Sequence, residues 1–339
     1  MSTSTTTYDT IVIGGSFAGL SAALQIARSC RKVLVVDSNE NRNRFAQHAH
    51  GFLGHDGKSP SDILTESKAQ LRRYSDCTIV ENVRVLSIQN LTAEKEASPA
   101  FNVLTSDDRT LHTRRIILAT GLKDNLPPVE GLQESWGKSA FHCPYCHGYE
   151  YRGKALGLLY TTPIQSHQAR LLPDLTKDII LFTGGALSGT ESVFPAVQLS
   201  AEEMALWEKL GIKLEPTPVS KFVQDSKDES ELSYVELSDG RKIERRGVLL
   251  LPPLTLSTPN LVANLDCDLT PSPFGVDLIK VDPATQVTSV PGVYAAGDSV
   301  RPMNVAVAVA DGSIAGIMCH QSLVAEDIKK IQQVELASC

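Results

Sequence analysis

Three features of the sequence predict an α/β fold built from parallel βαβ units. Residues 10–23, TIVIGGSFAGLSAA, carry a β-branched strand (Ile11, Val12, Ile13) through a tight glycine turn into an alanine- and leucine-rich helix. A second apolar strand, residues 32–36, ends at Asp37, about 20 residues beyond Gly14, where a nucleotide-binding βαβ unit places its acid. Residues 116–121, IILATG, and 287–298, VTSVPGVYAAGD, each run an apolar strand into a small-residue turn. At 339 residues the chain is long enough for about two such domains.

The first turn is read in order. Gly14 permits the bend, and Gly19 permits close packing of helix on strand. A pyrophosphate would sit on the helix N-terminus, where unpaired N–H groups and the dipole favour anions. Ser16 stands where the fingerprint has its middle glycine, so close backbone approach is expected to be strained but not lost. Asp37 suits a ribose hydroxyl.

Composition narrows the class. The chain is 42% hydrophobic and 21% charged, an ordinary globular balance. Its formal net charge of −7 lacks the basic footprint of a nucleic-acid binder. No apolar run is read as approaching the ~20 residues that span a bilayer. The polar N-terminus, MSTSTTTYDT, shows no basic n-region or apolar h-region. The expectation is a cytoplasmic protein with neither nucleic acid nor membrane as partner.

Cysteine usage raises a sharper question. The seven cysteines are Cys30, Cys77, Cys143, Cys146, Cys267, Cys319 and Cys339, and only one pair is closely spaced. That pair lies in FHCPYCHGYE, residues 141–150. C-x-x-C-H is the spacing that attaches a c-type haem; with His142 it could ligate a metal; it could also be a redox disulfide. An odd total in a chain this long is no secreted disulfide framework. A second ligand pair at zinc spacing is missing, and no export signal accompanies the haem spacing. These ten residues alone leave the three chemistries open.

The GGSFAG, ATG and TSVPGVYAAGD segments, in this order and at these separations, resemble the two-dinucleotide-domain flavoprotein disulfide reductases. The resemblance covers roughly residues 8–325. It implies two Rossmann-like dinucleotide-binding domains: a discontinuous FAD domain at 1–122 plus 250–339, and an inserted domain at 123–249. FAD would contact the turn at Gly14, Gly15, Ser16, Phe17, Ala18 and Gly19. Asp37 with Ser38 would take the ribose, and Val85, Thr120 and Gly121 are further implied contacts. Gly297 and Asp298 would meet the ribityl chain. The helix beginning near Asn304 and Val305 would aim its N-terminus at the flavin N1/O2 edge. Low-molecular-weight thioredoxin reductases carry their C-x-x-C in the second domain, just after the first FAD segment, as this chain does. The resemblance therefore resolves residues 141–150 as a redox disulfide facing FAD, and it implies a homodimer.

In those reductases the inserted domain binds NADPH through a glycine-rich turn after its first strand and a basic cluster after its second. Here the strand at 155–160, ALGLLY, leads into Thr161-Thr162-Pro163-Ile164-Gln165, without a glycine. Tyr160 and Pro163 are bulky or rigid where a pyrophosphate must approach the backbone. The strand at 179–182 leads into TGGALSGTES, without Arg, Lys or His. GGALSG reads as a flexible surface turn, because the next helix signal is the Ser200/Glu203 capping box. The NADPH site is expected to be erased.

His147 stands where thioredoxin reductases have an aspartate. The CHGYE ending is similar to the flavin-dependent dithiol oxidases that close disulfides of the gliotoxin and holomycin types. It is similar also to bacterial reductase-like proteins that share RNRFAQHAHGFLGHDG at 42–57, where Arg44 and His48 are implied as FAD contacts. By family position Cys146 faces the flavin and forms the thiolate–flavin adduct, while Cys143 makes the mixed disulfide with substrate. His147, with an ordinary pKa near neutrality, would move the proton. Electrons would then run from a substrate dithiol through Cys143–Cys146 and FAD to O2, giving a disulfide and H2O2. One rival is a reductase fed by ferredoxin or another protein donor, acting on a thioredoxin-like disulfide. A second is a non-catalytic flavin redox sensor.

Overall fold

A computed structural model describes residues 7–91, 100–228 and 230–337; Cys339 lies outside them. Contacts divide the chain into two units: Met1–Arg42 with Ser61–Lys123 and Thr255–Cys339, and Asn43–Pro60 with Asp124–Leu254. The sequence assigns residues 43–60 to the first domain, whereas here they pack with the second. A Cβ on Gly137 would lie 2.7 Å from Phe45, and His50 Nε2 is 3.5 Å from Glu150 Oε1.

The first unit opens with β1 (Thr7–Ile13), α1 (Phe17–Arg28), β2 (Val33–Asp37), α2 (Pro60–Leu71) and β3 (Cys77–Glu81). A meander follows: β4 (Val85–Asn90), β5 (Phe101–Thr105) and β6 (Thr110–Leu118). The strand order is β3-β2-β1-β6-β5-β4, with β1 parallel to β2 and to β6 (Ile11 opposite Leu34 and Ile116). Strands covered on both faces read as unbroken apolar runs. Every residue of β2 is accordingly buried.

β7 (Leu122–Asp124) crosses the boundary between the units, and the second unit then carries α3 (Leu132–Ser135), β8 (Ala140–Phe141), α4 (Pro144–His147), β9 (Leu156–Leu159), α5 (Gln165–Leu171) and β10 (Ile179–Phe182). Then come β11 (Ala186–Ser188), β12 (Glu191–Phe194), α6 (Ala201–Lys209), β13 (Lys213–Glu215), β14 (Val219–Gln224), β15 (Leu232–Leu237), β16 (Lys242–Ile243) and β17 (Gly247–Leu249). One parallel sheet runs β13-β10-β9-β17-β8 and a second sheet runs β12-β11-β14-β15-β16. The GGALSG stretch, expected as a flexible surface turn, instead leads into and forms the first strand of the β11–β12 hairpin. Gly184 is hemmed in, since a Cβ there would lie 2.1 Å from the Pro216 carbonyl oxygen. The Ser200/Glu203 capping box does start α6.

The chain returns to the first unit through β18 (Leu254–Leu256), α7 (Pro259–Leu265), β19 (Leu269–Thr270), β20 (Leu278–Ile279), β21 (Val293–Ala295) and α8 (Val305–Ala337). β21 adds parallel to β6, Val293 opposite Ile116, as the seventh strand. α8 lies on α1 at close range: a Cβ on Gly312 would stand 2.0 Å from the Ala18 oxygen, and one on Gly316 2.5 Å from the Ala22 oxygen. Contrary to the sequence expectation, Val305–Val334 is long and apolar enough, by length and composition, to cross a membrane. In this fold the same helix covers α1 and pairs its charges, with Glu326 2.8 Å from Arg115 and 3.0 Å from Arg114.

Candidate active site

In the first unit, the β1–α1 turn is shaped by close contacts that only glycine allows. Gly14 has φ +107° and a Cβ there would be 2.3 Å from the Ala119 oxygen; one on Gly19 would be 1.8 Å from the Gly14 oxygen. Ser16, the departure from the fingerprint, sits in extended backbone (φ −94°, ψ −166°), which serine adopts without strain. It is the N-cap of α1 and its side chain makes no capping hydrogen bond, nor does the first turn hold an acid. That helix end is thus available to an anion.

Apart from Val85, the other implied cofactor residues of this unit follow the C-terminal ends of strands or lie at the start of α8. Asp37 ends β2, Ser38 follows half-buried, and Val85 opens β4 buried. Thr120 and Gly121 follow β6; the Thr120 hydroxyl is buried and lacks a hydrogen-bond partner among the described residues. Gly297 (φ +78°) faces Ala18, 2.9 Å from where its Cβ would be, and Asp298 is held by Arg42 at 3.0 Å. Asn304 caps α8, its Oδ1 accepting the Val307 N–H at 3.0 Å. An uncapped helix N-terminus, a glycine cradle and an orphaned buried hydroxyl fit a dinucleotide.

Sequence reasoning missed Lys68. It reaches from α2 to Asp37 (2.9 Å), Asn39 (3.1 Å) and Glu81 (2.6 Å), and it is 8% exposed. Burial acts to lower its pKa, but the bonds to Glu81 and Asp37 outweigh this and hold it above the usual lysine value. The ammonium therefore stays charged and neutralises the acid that ends β2.

In the second unit, Cys143 and Cys146 are joined as a disulfide with Cα atoms 5.2 Å apart. Cys143 is the N-cap of α4, and its Sγ accepts the Cys146 N–H at 3.2 Å. That donor would also stabilise a thiolate on Cys143 once the disulfide opens. Gly148 closes the corner, since a Cβ there would lie 2.3 Å from the Pro144 oxygen. Tyr145, between the cysteines, is 77% exposed, so the pair is presented outward on one side.

His147 departs from the sequence expectation. Burial, then the charges of His50 and His48, pull its pKa from the ordinary 6.5 down to about 4. Its ring meets the Phe141 ring edge-on at 5.7 Å. The imidazole is neutral at physiological pH and can only accept a proton. His50 stands between Asp56 (3.5 Å) and Glu150 (3.5 Å). Arg44 and His48, implied as FAD contacts, lie in this unit. Arg44 stacks 4.3 Å over Phe45, and His48 Nδ1 is 3.0 Å from the Gly57 oxygen.

The turn after β9 differs from the turn after β1. Gln165 is fully buried and its carboxamide fills the turn: Oε1 accepts from Thr161 N–H (2.8 Å), Thr162 N–H (3.1 Å) and the Thr161 hydroxyl (3.1 Å). Its Nε2 donates to the Leu159 oxygen at 2.8 Å. The backbone donors that a pyrophosphate would use are already taken. Tyr160, also fully buried, donates its hydroxyl to Glu203 at 3.3 Å, setting a carboxylate by the turn.

The comparisons with known proteins agree with this architecture. The family model described as pyridine nucleotide-disulphide oxidoreductase matches residues 8–312. Thioredoxin reductase sirT of Leptosphaeria maculans is 33% identical over 93% of this chain and 94% of its own length. The solved structure of an oxidoreductase from Agrobacterium tumefaciens is 37% identical, with a TM-score of 0.81 over 94% of this chain and 99% of that one. The solved structure of HlmI is 31% identical, with a TM-score of 0.84 over 98% of this chain and 97% of that one. The chain belongs to the pyridine nucleotide-disulphide oxidoreductase family, and within it is a thioredoxin reductase-like, FAD-binding thiol–disulfide oxidoreductase.

Proposed function

We propose that the protein is a dithiol oxidase: a substrate dithiol and O2 become a disulfide and H2O2. The observation that carries this reading is the Gln165-filled turn, which leaves a nicotinamide nucleotide no backbone donors for its pyrophosphate. Electrons in this reading enter from a thiol. One substrate sulfur attacks Cys143, the Cys143–Cys146 bond breaks, and Cys146 leaves as a thiolate. His147, neutral in the disulfide form, accepts the substrate thiol proton. The second substrate sulfur attacks the mixed disulfide and releases Cys143, closing the product. Bound FAD supplies the two-electron acceptor for the enzyme dithiol and the reaction with oxygen. In this reading the first unit holds FAD through the Gly14–Gly19 turn, Asp37 and Asp298, and the enzyme is a cytoplasmic homodimer.

A second reading draws on the similarity to proteins named thioredoxin reductase. There the flow is reversed, and a non-nicotinamide donor such as ferredoxin reduces a thioredoxin-like disulfide. Anaerobic flavin bleaching separates the two when NADPH, dithiothreitol and reduced ferredoxin are offered in turn. The oxidase reading expects bleaching by dithiothreitol, little by NADPH, and H2O2 on admitting air. Rapid stoichiometric bleaching by NADPH overturns it.

A further inference from the structure

The helix after the closed turn has a second contact. Gln168, one turn beyond Gln165 on α5, donates its Nε2 to the His142 carbonyl at 2.6 Å. Residues i and i+3 share a helix face, so both carboxamides leave α5 on the same side. One fastens the helix to the end of β9 and the other fastens it to the residue before Cys143. The Gln168 Oε1 is buried and has no hydrogen-bond partner among the described residues, so the donor end makes the side chain's hydrogen bond. His142 is also steadied by its ring, which stacks on Trp136 at 5.9 Å.

We propose that Gln168 is a positioning residue for the Cys143–Cys146 pair: it fixes the corner between β8 and α4 that carries Cys143. The proposal rests on the reading of that pair as the reacting disulfide.

The physical consequence is asymmetric between redox states. In the oxidised protein the covalent bond itself holds Cys143 against Cys146. In the reduced protein that constraint is gone, and the corner carrying Cys143 can move away from Cys146 only by giving up the hydrogen bond to the His142 carbonyl. Holding two reacting groups in place raises their effective concentration and favours ring closure. Gln168 therefore favours the disulfide over the dithiol. A contact of equal strength in both states would stabilise the fold without moving this balance.

The test is a redox equilibrium on the FAD-loaded enzyme. The protein is equilibrated anaerobically with mixtures of dithiothreitol and its cyclic disulfide, in which two electrons and two protons pass to Cys143–Cys146. It is then alkylated, and the peptide holding both cysteines is weighed. Gln168→Met keeps length and removes the donor. The reduced form should be favoured by roughly threefold to tenfold, the worth of one ordinary hydrogen bond. Gln168→Ala should shift the balance the same way and stands in if the methionine variant does not fold. An unchanged equilibrium in a folded variant, even one with a lowered melting temperature, overturns the proposal. The measurement is an equilibrium and needs neither turnover nor oxygen. Failure of the oxidase reading shows separately, as undiminished dithiol turnover by Cys143→Ser enzyme.

Discussion

The β1–α1 turn and the β9–α5 turn begin alike and end as opposites. Each follows a parallel strand whose last four residues are buried, and each leads into a helix. At the first, Gly14 and Gly15 present no side chain, and the N-cap Ser16 leaves the helix end without a side-chain cap. At the second, Gln165 folds back and spends its carboxamide on the amides of Thr161 and Thr162. If the second turn binds no nucleotide, as proposed above, more than the absence of glycine is responsible. A turn whose donors already have an internal partner gains little by exchanging it, because net hydrogen-bond energies are small and an exchange nearly cancels.

That comparison can be broken or sharpened by substitution. The largest effect is expected from Gly19→Val: its side chain would overlap the Gly14 carbonyl, and the purified protein should be colourless and unable to take up added FAD. Retained yellow colour would mean the first turn is not the cofactor cradle.

Next is His147→Ala, which should slow dithiol turnover by roughly 10²–10⁴-fold if the imidazole is the general base. The lowered pKa adds a pH signature. Between pH 6.5 and about 4 the unfolded chain takes up a proton at this position that the folded one refuses. Stability should therefore fall as pH falls through that window, and less so in the Ala variant. The acid limb of kcat/KM should likewise lie below pH 6, and a limb centred at 6.5 would show that the ring is not the buried base described.

A smaller effect is expected from Lys68→Met. It takes the ammonium away from Asp37 and leaves Glu81 to Arg72 at 2.8 Å, and FAD affinity should weaken by about 10-fold to 100-fold. Fluorescence titration of the apoprotein reads this directly. Smallest is Gln165→Ala, which uncaps the second turn. Unfolding stability should drop by about 1–3 kcal/mol, seen as a lower melting temperature, still without bleaching by NADPH. Gained NADPH activity would show that the glutamine alone closes the site.

What the sequence made legible is what is encoded within a few neighbouring residues. The Gly14–Gly19 turn, Asp37, the strand at 179–182 and the Ser200 capping box depend on local spacing, and the fold reproduces them. The rest depends on partners far along the chain. Lys68 is an unremarkable helix lysine until α2 brings it to Asp37 and Glu81. The His147 pKa reflects burial and two histidines nearly a hundred residues earlier, in a stretch whose packing the sequence could not assign. The 184–194 hairpin was hidden by its glycines, which serve close backbone packing there and read as looseness in one dimension. Gln165 lay in plain sight, but a side chain capturing its own turn has no spacing rule to announce it.

The packing of α8 onto α1 has a consequence for how the polypeptide is made. The two helices that interlock through Gly312 and Gly316 are synthesised roughly 280 residues apart, which at about 5–20 residues per second is tens of seconds. While the ribosome works, the opening β1–α1 segment has no permanent neighbour on that face, whereas most of the second unit is continuous and can fold as it emerges. β21, the Gly297-Asp298 turn and the Asn304 cap are made only after the whole of the second unit. The second unit can therefore be complete while its host is not, and the cofactor residues named above are all present only after Asn304 has been made.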